Sequence, residues 1–430
     1  MKTKIPPSAF RTFLLLSCAP ILALAQPKVS VVTAMPVSSM TPGQAVILAV
    51  TTSDSPVSYQ WKRGGVNLPG ATASSYSISM VGAADRGGYQ VVVTGPSGTT
   101  TIDMGSMAVG TSDARLINLS ARAMVGMGPA VMIAGFVSQG DANSTNKNIL
   151  MRGMGPALGG MGGMSAAGVL TNPSMTVYDG QSRPMASNMG WMNGVTRVTG
   201  SGNSSLPVTV QPATLTMMSA MGAFAPGMGS SDSALMMSAP FGPYTMVVSG
   251  ANNSSGIALA ECYDADATVG NGMNTARLAN MSARANVGTE ANGLVAGFVV
   301  TAGPSGAPCT VVLRAMGPAL AAMGVTGILT NPSMTLYDAN SKPIASNNGW
   351  TTALVMAVGT GASPMRTGIE PATLDLMSRV GAFPPASSSA DCAMIATLSP
   401  GAYSVAVSGL PDVSGKPTSG VGLVEIYEMR

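Results

Sequence analysis

The sequence predicts an all-β protein with three units, of which the second and third are copies of each other. The block MRGMGPALGGMG from Met151 returns as LRAMGPALAAMG from Leu313, at an offset of 313 − 151 = 162. Short runs of alternating apolar residues fill both copies, and turns rich in glycine and proline separate them, which is typical of strands rather than helices. Glycine (53) and proline (30) are abundant among the 430 residues. A duplication of about 150 residues predicts two homologous domains.

The first 25 residues have the features of a secretion signal. Three basic residues precede the apolar stretch Phe13–Leu24, and small residues precede a cleavage position before Gln26. The stretch is too short to cross a bilayer, which requires about 20 apolar residues. Cleavage and lipidation at Cys18 is an alternative, although it leaves only a handful of apolar residues before that cysteine. We expect a secreted protein, extracellular or at the cell surface, with no transmembrane anchor, because no later segment is long and apolar enough.

Residues 26–110 predict a separate domain with its own strand pattern. Buried strands are predicted at Ala45–Val50, Val57–Trp61 and Tyr89–Thr94. Gly-Gly and Pro-Gly turn signals lie between the second and third of these strands. The spacing predicts a small sandwich of short strands.

This segment resembles an immunoglobulin-like domain. Trp61 matches the core tryptophan of strand C, and the sequence DRGGY from Asp85 to Tyr89 matches the tyrosine corner that begins strand F. Val50 and Val91 stand where the family has its inter-sheet cysteines, so packing is expected to replace that disulfide. The resemblance implies that these four residues, Trp61, Tyr89, Val50 and Val91, belong to the core. An aromatic binding platform at Trp61 is the alternative.

Residues 111–265 and 275–430 are the two copies, and each contains seven or more predicted strands. One helix candidate interrupts the strands in each copy, at Pro212–Phe224 and at Pro371–Phe383, with proline at its start and glycine near its end. Regularly spaced short strands with glycine-rich turns favour a β-sandwich of the jelly-roll kind. The predicted fold class is therefore all-β: an N-terminal immunoglobulin-like sandwich followed by two homologous jelly-roll-like β-sandwich domains, each with one short helix.

The repeats resemble tandem domains at the C-terminal ends of secreted, immunoglobulin-domain-containing proteins of Verrucomicrobia-like bacteria. The motifs that carry this resemblance include RGMGPAL at Arg152–Leu158, LYD at Leu336–Asp338 and VEIYE at Val424–Glu428. The aspartate of the family's NDxW motif is replaced by Met189 in one copy and by Asn348 in the other. The resemblance implies a secreted protein and brings no known catalytic residue.

The charge balance and the lack of histidine exclude several functions. Without the three basic residues of the signal, 21 − 3 = 18 basic residues face 18 acidic ones. A neutral chain with 9% charged residues offers no basic surface to nucleic acid. Because histidine is absent, Ser-His-Asp and Cys-His catalysis are impossible within one chain. We expect no cofactor, no bound metal and no nucleic-acid partner.

Cys309 and Cys392 predict a disulfide in the second repeat. Both lie on predicted strands, and the first repeat has Lys147 and Ser233 at the matching positions, so both cysteines are missing there together. In an oxidising compartment this joint absence favours a bridge between the two. Cys262 is predicted to be a small buried apolar residue, with a free thiol for intermolecular pairing as the alternative.

An arginine and a tryptophan recur in both copies as candidate ligand-binding residues. Arg152 and Arg314 each stand shortly before a Met-Gly-Pro turn, which could receive an anion, although pairing with a carboxylate or capping of carbonyl groups is the favoured interpretation. Trp191 and Trp350 end the two ASNxGW loops. They are a possible ligand platform for stacking on a sugar, and a plug over the edge of the sandwich is the favoured interpretation.

Two further patterns contain residues that can bind metal ions, but neither predicts a metal site. Asp179 and Asn188, with their equivalents Asp338 and Asn347, have oxygen atoms that suit calcium, but too few carboxylates converge for a tight site. The 34 methionines could supply thioethers to copper(I). Their positions change between the copies, which predicts flexible apolar filler instead.

An enzyme is not expected. Glu261 and Glu425 are the glutamates found at matching positions, and they are expected to pair with an arginine such as Arg115 or Arg277. We therefore expect no deep pocket with two acidic side chains at the spacing of about 5 to 10 Å that glycosidases use.

These observations predict a secreted, non-enzymatic modular protein for cell-surface structure, adhesion or extracellular assembly. Its partners are expected to be other extracellular proteins or further copies of itself. The alternative is a carbohydrate-binding accessory protein of a secreted polysaccharide-degrading system. Exposed coplanar tryptophans in a cleft would favour sugar binding, whereas exposed apolar faces and strand edges would favour assembly.

Overall fold

The all-β prediction is confirmed by a computed structural model. Strands make up most of the regular structure, and the described part of the chain contains two α-helices of six residues each. The predicted signal peptide, residues 1–25, and Cys18 within it lie outside the described residues. The structure describes residues 26–55, 57–96, 98–140, 146–161, 164–198, 204, 206–266, 276–289, 292–303, 305–357 and 368–430.

The N-terminal unit is an immunoglobulin-like sandwich of two sheets. Strands β1–β2–β5 form one sheet and β4–β3–β6–β7 the other. Trp61, Tyr89 and Val91 are fully buried, and Val50 packs in the same core. The Tyr89 hydroxyl donates to the Asp85 carbonyl oxygen at 2.9 Å, which is the contact of a tyrosine corner. The strands are β1 Val29–Thr33, β2 Val46–Thr52, β3 Ser58–Arg63, β4 Val66–Asn67, β5 Ser75–Ile78, β6 Gly87–Gly95 and β7 Gly98–Met107.

Each repeat has ten strands and one helix in the same order within its described residues. The helices begin after the N-caps Thr214 and Thr373, whose side chains accept a backbone hydrogen bond two residues into the helix. The first repeat has β8 Arg115–Val125, β9 Met132–Gln139, β10 Asn146–Met154, β11 Pro173–Asp179, β12 Pro184–Asn188, β13 Thr196–Arg197, β14 Thr209–Pro212, α1 Leu215–Ala220, β15 Ser233–Pro240, β16 Gly242–Gly250 and β17 Gly256–Asp264. The second has β18 Arg277–Val287, β19 Leu294–Thr301, β20 Cys309–Met316, β21 Pro332–Asp338, β22 Pro343–Asn347, β23 Val355–Met356, β24 Gly368–Pro371, α2 Leu374–Arg379, β25 Cys392–Leu398, β26 Gly401–Gly409 and β27 Gly420–Met429.

The two repeats join edge to edge through both of their sheets. Strand β8 of the first repeat pairs with β17 of its own repeat and with β19 of the second, where Leu119 faces Phe298. Strand β18 pairs in the same way with β27 and with β9, where Met281 faces Phe136. One hydrophobic core therefore contains residues of both copies. The division into domains at 111–265 and 275–430 stays a prediction, since strand pairing joins the copies in space.

The result is two ten-stranded ladders, each with five strands from each repeat, and one residue pair between β18 and β8, Asn286 with Met124, connects them. One runs β14–β15–β10–β17–β8–β19–β26–β21–β22–β23, and the other runs β24–β25–β20–β27–β18–β9–β16–β11–β12–β13. The outermost strands are short: β13 and β23 have two residues each, and β14 and β24 end in prolines. Short edges with proline disfavour the addition of a strand from another chain.

The immunoglobulin-like domain packs against the second repeat. A Cβ atom at Gly82 would lie 2.4 Å from the hydroxyl oxygens of Thr310 and Thr397, so the chain can approach this closely only with glycine there. The Ala83 N–H donates to the Thr310 hydroxyl at 3.1 Å, and Ala84 is buried in a cluster that includes Trp350. This contact places the β3–β4 hairpin beside β24 and α2.

Candidate functional site

A cleft of about 550 Å3 lies between the immunoglobulin-like domain and the second repeat. One wall is the β3–β4 hairpin, and the other is β24 with the start of α2. Val66 and Leu374, on opposite walls, are 58% and 57% exposed, which is unusual for large apolar side chains in a cleft. The cleft is lined by Arg63, Gly64, Val66, Asn67, Leu68, Pro69, Arg86, Gly87, Trp350, Thr351, Glu370, Pro371, Ala372, Thr373, Leu374, Asp375, Leu376 and Arg379.

A buried charge cluster joins the two walls of the cleft. The Arg63 guanidinium donates to both carboxylate oxygens of Glu370, at 3.2 and 2.9 Å, and to Asp85 at 3.4 Å. The second Asp85 oxygen accepts from the Gly82 N–H at 2.8 Å. Burial, and after it the neighbouring Glu370 carboxylate, raises the pKa of Asp85 to about 7. Burial also raises the pKa of Glu370, against the opposing effect of Arg63.

A second recess, of about 170 Å3, is lined by both carboxylates of this cluster, Asp85 and Glu370. The sequence did not predict that acidic side chains meet in a recess, because Asp85 belongs to the tyrosine-corner motif and Glu370 has no acidic equivalent in the first repeat. Arg63 binds both carboxylates, so they hold the two domains together. Neither is left as an unpaired acid or base.

The rim of the larger cleft is polar. Asp375 and Arg379 form an ion pair of 2.8 Å along one face of α2, and both side chains are partly exposed. The Thr373 side chain caps this helix by accepting from the Leu376 N–H at 3.3 Å. The cleft therefore combines exposed apolar walls with a charged rim, which suits a ligand that has apolar and polar groups side by side.

The two candidate platform tryptophans lie inside the fold. Trp191 and Trp350 are 5% and 7% exposed, and their indole N–H groups donate to the carbonyl oxygens of Gly227 (3.2 Å) and Ala386 (2.9 Å). Each packs with the helix of its own repeat in a separate apolar cluster. The burial of both side chains does not support the platform hypothesis, although the small exposed part of Trp350 lines the cleft, and the plug interpretation fits the packing.

The paired arginines and glutamates meet each other across adjacent strands. Arg152 Nε donates to Glu261 at 2.8 Å, and Arg314 Nε lies 3.3 Å from Glu425. The predicted partners Arg115 and Arg277 were wrong for these glutamates, because strand register brings the buried arginines of β10 and β20 opposite them. Each arginine also lies over a phenylalanine ring, Phe224 or Phe383, at 4.4 and 4.5 Å from its centroid. The pairing with a carboxylate favoured for Arg152 and Arg314 is what the structure contains.

The glycine-rich turns after these arginines do bind an anion, and it comes from the same chain. The Gly155 N–H donates to Asp232 at 2.6 Å, and the Gly317 N–H donates to Asp391 at 2.6 Å. Both aspartates are fully buried. Neither aspartate was predicted from the sequence, although the Ser-x-Asp pattern that ends at each recurs at an offset of 391 − 232 = 159.

The predicted disulfide between Cys309 and Cys392 is wrong. Strands β20 and β25 pair so that Cys309 faces Leu398 and Cys392 faces Ala315. The two cysteines are therefore six residues apart along the ladder, about 20 Å at 3.3 Å per residue, and a bridge needs less than about 7 Å. All three described cysteines are free and buried, as predicted for Cys262.

The proposed calcium ligands close turns. Asp179 accepts from the N–H groups of Gln181 and Arg183, and Asp338 does the same for its own turn. Asn188 and Asn347 bind backbone groups of their ASNxGW loops. Over the described ranges, no three cysteine or acidic residues cluster as metal ligands would.

Comparisons with known proteins give distant structural similarities. No family model matches the chain, and no curated protein matches it. Solved structures with similar segments include the Sidekick-1 immunoglobulin domains 1–5 (15% identity, 26% of this chain, TM-score 0.17), an I-band fragment of titin (12%, 54%, 0.17) and a chimeric titin tandem (13%, 54%, 0.18).

The matches cover 27%, 64% and 96% of those three chains. At such TM-scores the alignments say nothing about function, so the immunoglobulin-like assignment depends on the strands and core described above. No helix in the described ranges is long and apolar enough to cross a membrane.

Proposed function

We propose that this protein is a secreted, non-enzymatic module for assembly at the cell surface, and that one copy binds the next through the interdomain cleft. The observation that carries the proposal is the cleft, with Val66 and Leu374 exposed on facing walls. Its volume of about 550 Å3 lies within the range of about 300 to 1,000 Å3 that is usual for binding pockets. We also propose that the repeats are members of the secreted bacterial family that they resemble.

A second exposed apolar surface on the same chain supplies the complementary partner. Val32 on β1 and Ile47 on β2 are 64% and 55% exposed on the immunoglobulin-like domain, outside its buried core. The two surfaces are different, so their contact would be head-to-tail, and a head-to-tail contact that does not close into a ring extends into a chain of copies. The short outer edges of the large sheets disfavour assembly through strand addition instead.

The test measures self-association of the mature protein by light scattering over a range of concentrations. We expect the mean mass to rise with concentration, and Leu374→Glu and Val32→Glu each to abolish the rise. Leu215→Glu is the matched control, because Leu215 is the equivalent of Leu374 in α1 and is 44% exposed away from the cleft. A head-to-tail contact further predicts that a mixture of the two defective variants forms a one-to-one complex, since each retains one intact surface.

A protein that stays monomeric at all concentrations would contradict the assembly proposal. A glycan array on the same preparation tests the carbohydrate-binding alternative, for which the buried tryptophans provide no support. Binding to a glycan without self-association would favour that alternative.

A further inference from the structure

The first repeat contains a buried amine between two carboxylates. Lys147 on β10 is fully buried, and its ammonium group contacts Asp264 Oδ1 and lies 2.9 Å from Asp266 Oδ2. The side chain of Asp264 is also fully buried, and that of Asp266 is 10% exposed. The Ala276 carbonyl oxygen, at the start of the second repeat, accepts from the same nitrogen at 3.2 Å. None of these residues lines the cleft, and they have no part in the proposed assembly.

We propose that Lys147 and Asp264 condense into an intramolecular isopeptide bond, with Asp266 as the catalytic residue that moves the protons. Lys147 first passes one ammonium proton to the Asp264 carboxylate that it contacts, and the resulting neutral Nζ attacks Cγ of the Asp264 carboxyl group. Asp266 accepts a proton from Nζ and passes it to the departing hydroxyl. A bond forms between Nζ and Cγ, the Cγ–OH bond breaks, and one water molecule leaves. No oxidant, reductant or other reactant is required.

The position of Asp266 fits this role. One of its oxygens faces Lys147 Nζ and also accepts from the Asn148 N–H at 3.1 Å, and the other accepts from the Asn148 side-chain amide at 2.7 Å. Its own N–H donates to Asp264 Oδ1 at 3.0 Å. These contacts fix the carboxylate beside both reacting groups, as a proton-transfer group must be fixed.

Two physical effects favour the bond at this site, although free amines and carboxylates do not condense in water. Holding two reacting groups in contact is equivalent to an effective concentration of about 10⁵ to 10⁸ M. Buried charges carry a desolvation penalty, and condensation replaces two of them by one neutral amide. The dry surroundings also protect the amide from hydrolysis.

The second repeat provides an internal control. Cys309 occupies the position of Lys147, and Glu428 occupies that of Asp264, by the offsets 309 − 147 = 162 and 428 − 264 = 164. Glu428 pairs with the guanidinium of Arg277 instead. A guanidinium stays protonated and does not attack a carboxyl group. The second repeat therefore has the same fold but lacks the lysine and aspartate that would react.

The test is the intact mass of the full mature chain, followed by peptide mapping. We expect the wild-type protein to be lighter than its sequence by one water molecule. Trypsin should release a branched peptide that joins residues 123–152, uncut at Lys147, to residues 198–277. A wild-type protein with the full sequence mass, cut at Lys147 into residues 123–147 and 148–152 and releasing residues 198–277 separately, would overturn the proposal. A loss of water that maps elsewhere in the chain would also overturn it.

Two variants separate the bond from the buried ion pair. Lys147→Arg retains the charge but cannot condense, so it should have the full sequence mass and migrate more slowly than wild type in a denaturing gel. Asp266→Asn retains the shape of the hydrogen-bonding group without its basic oxygen, so we expect most of this variant to remain uncondensed. Complete condensation in Asp266→Asn would exclude the role given to Asp266.

Discussion

At the scale of single residues, matching positions in the two repeats retain their packing while their chemistry changes. The Ser233 hydroxyl lies 2.9 Å from the carbonyl oxygens of both Pro173 and Asn188. The Cys392 thiol makes the corresponding contacts at 3.2 and 3.1 Å. Cys392 is thus a buried donor in place of a hydroxyl, and its absence from the first repeat has nothing to do with Cys309. The joint absence of both cysteines from the first repeat therefore does not indicate a disulfide.

This equivalence predicts that Cys392→Ser is tolerated. The new hydroxyl finds the two carbonyl acceptors that Ser233 uses, so the free energy of unfolding should change by less than about 1 kcal/mol. Cys262→Ser is the control, because Cys262 is fully buried in the apolar core, where a hydroxyl costs about 1 to 3 kcal/mol. Urea unfolding of the three proteins measures the difference. Equal losses for both variants would contradict the assignment of Cys392 as a hydrogen-bonding residue.

At the scale of elements, one charged cluster joins the β3–β4 hairpin to β24. Arg63 carries one positive charge, and it faces Asp85 and Glu370, while burial and then these carboxylates raise the pKa of the neighbouring Tyr76, and burial and then Asp85 raise that of Tyr89. With both carboxylates ionised, the cluster has a net negative charge in a buried place. Burial first, and after it the negative charge of Glu370, raises the pKa of Asp85, so the folded protein retains this proton at a pH where an exposed aspartate has lost it.

The sign of the resulting pH dependence follows from proton binding. Because the pKa of Asp85 is raised from 3.8 to about 7 in the folded protein, the folded state binds more protons than the unfolded chain between those values. The free energy of unfolding should therefore fall as the pH rises from about 4 to about 7, by about 1 to 3 kcal/mol from this residue, and level off above that.

The measurement is urea unfolding at a series of pH values. Asp85→Asn removes the titrating group, so it should lose that part of the slope and gain stability relative to wild type at pH values above about 7. Asp375→Asn, on the exposed rim, should retain the wild-type slope. An unchanged slope in Asp85→Asn would show that the proton is held elsewhere.

At the scale of the whole molecule, the sequence predicted the separate domains and their short elements better than it predicted how strands of different domains pair and pack. The core residues Trp61 and Tyr89 and the short helix in each repeat follow from local signals, namely a motif, a cap and a period of alternation. The pairing of β8 with β19 could not be predicted, because alternation shows that a strand has a buried face but not which strand lies beside it. The same limit explains the wrong partners for Glu261 and Glu425, since register decides which arginine faces each glutamate.

The contact between the immunoglobulin-like domain and the second repeat could not be predicted from the sequence either. Glu370 lies where the first repeat has Gln211, and nothing local to either residue indicates an arginine 307 positions earlier in the chain. The cleft forms where the immunoglobulin-like domain packs on the second repeat. A site formed by distant segments becomes visible once the domains are placed, whereas a repeated motif such as the Met-Gly-Pro turn is visible in the chain itself.

Strand pairing between the repeats leads to a prediction about the second repeat alone. A fragment of residues 275–430 retains both of its five-stranded sheets but loses the partners of β18 and β19, so two inner edges with buried residues such as Met281 and Phe298 become exposed. Because the tandem already joins two copies of this fold, two fragments can restore the same contacts, with β18 of each pairing with β19 of the other. We expect light scattering to give a dimer of the fragment, and a monomer for residues 111–430. A folded, monomeric fragment with cooperative unfolding would show that each repeat is stable without the shared sheets.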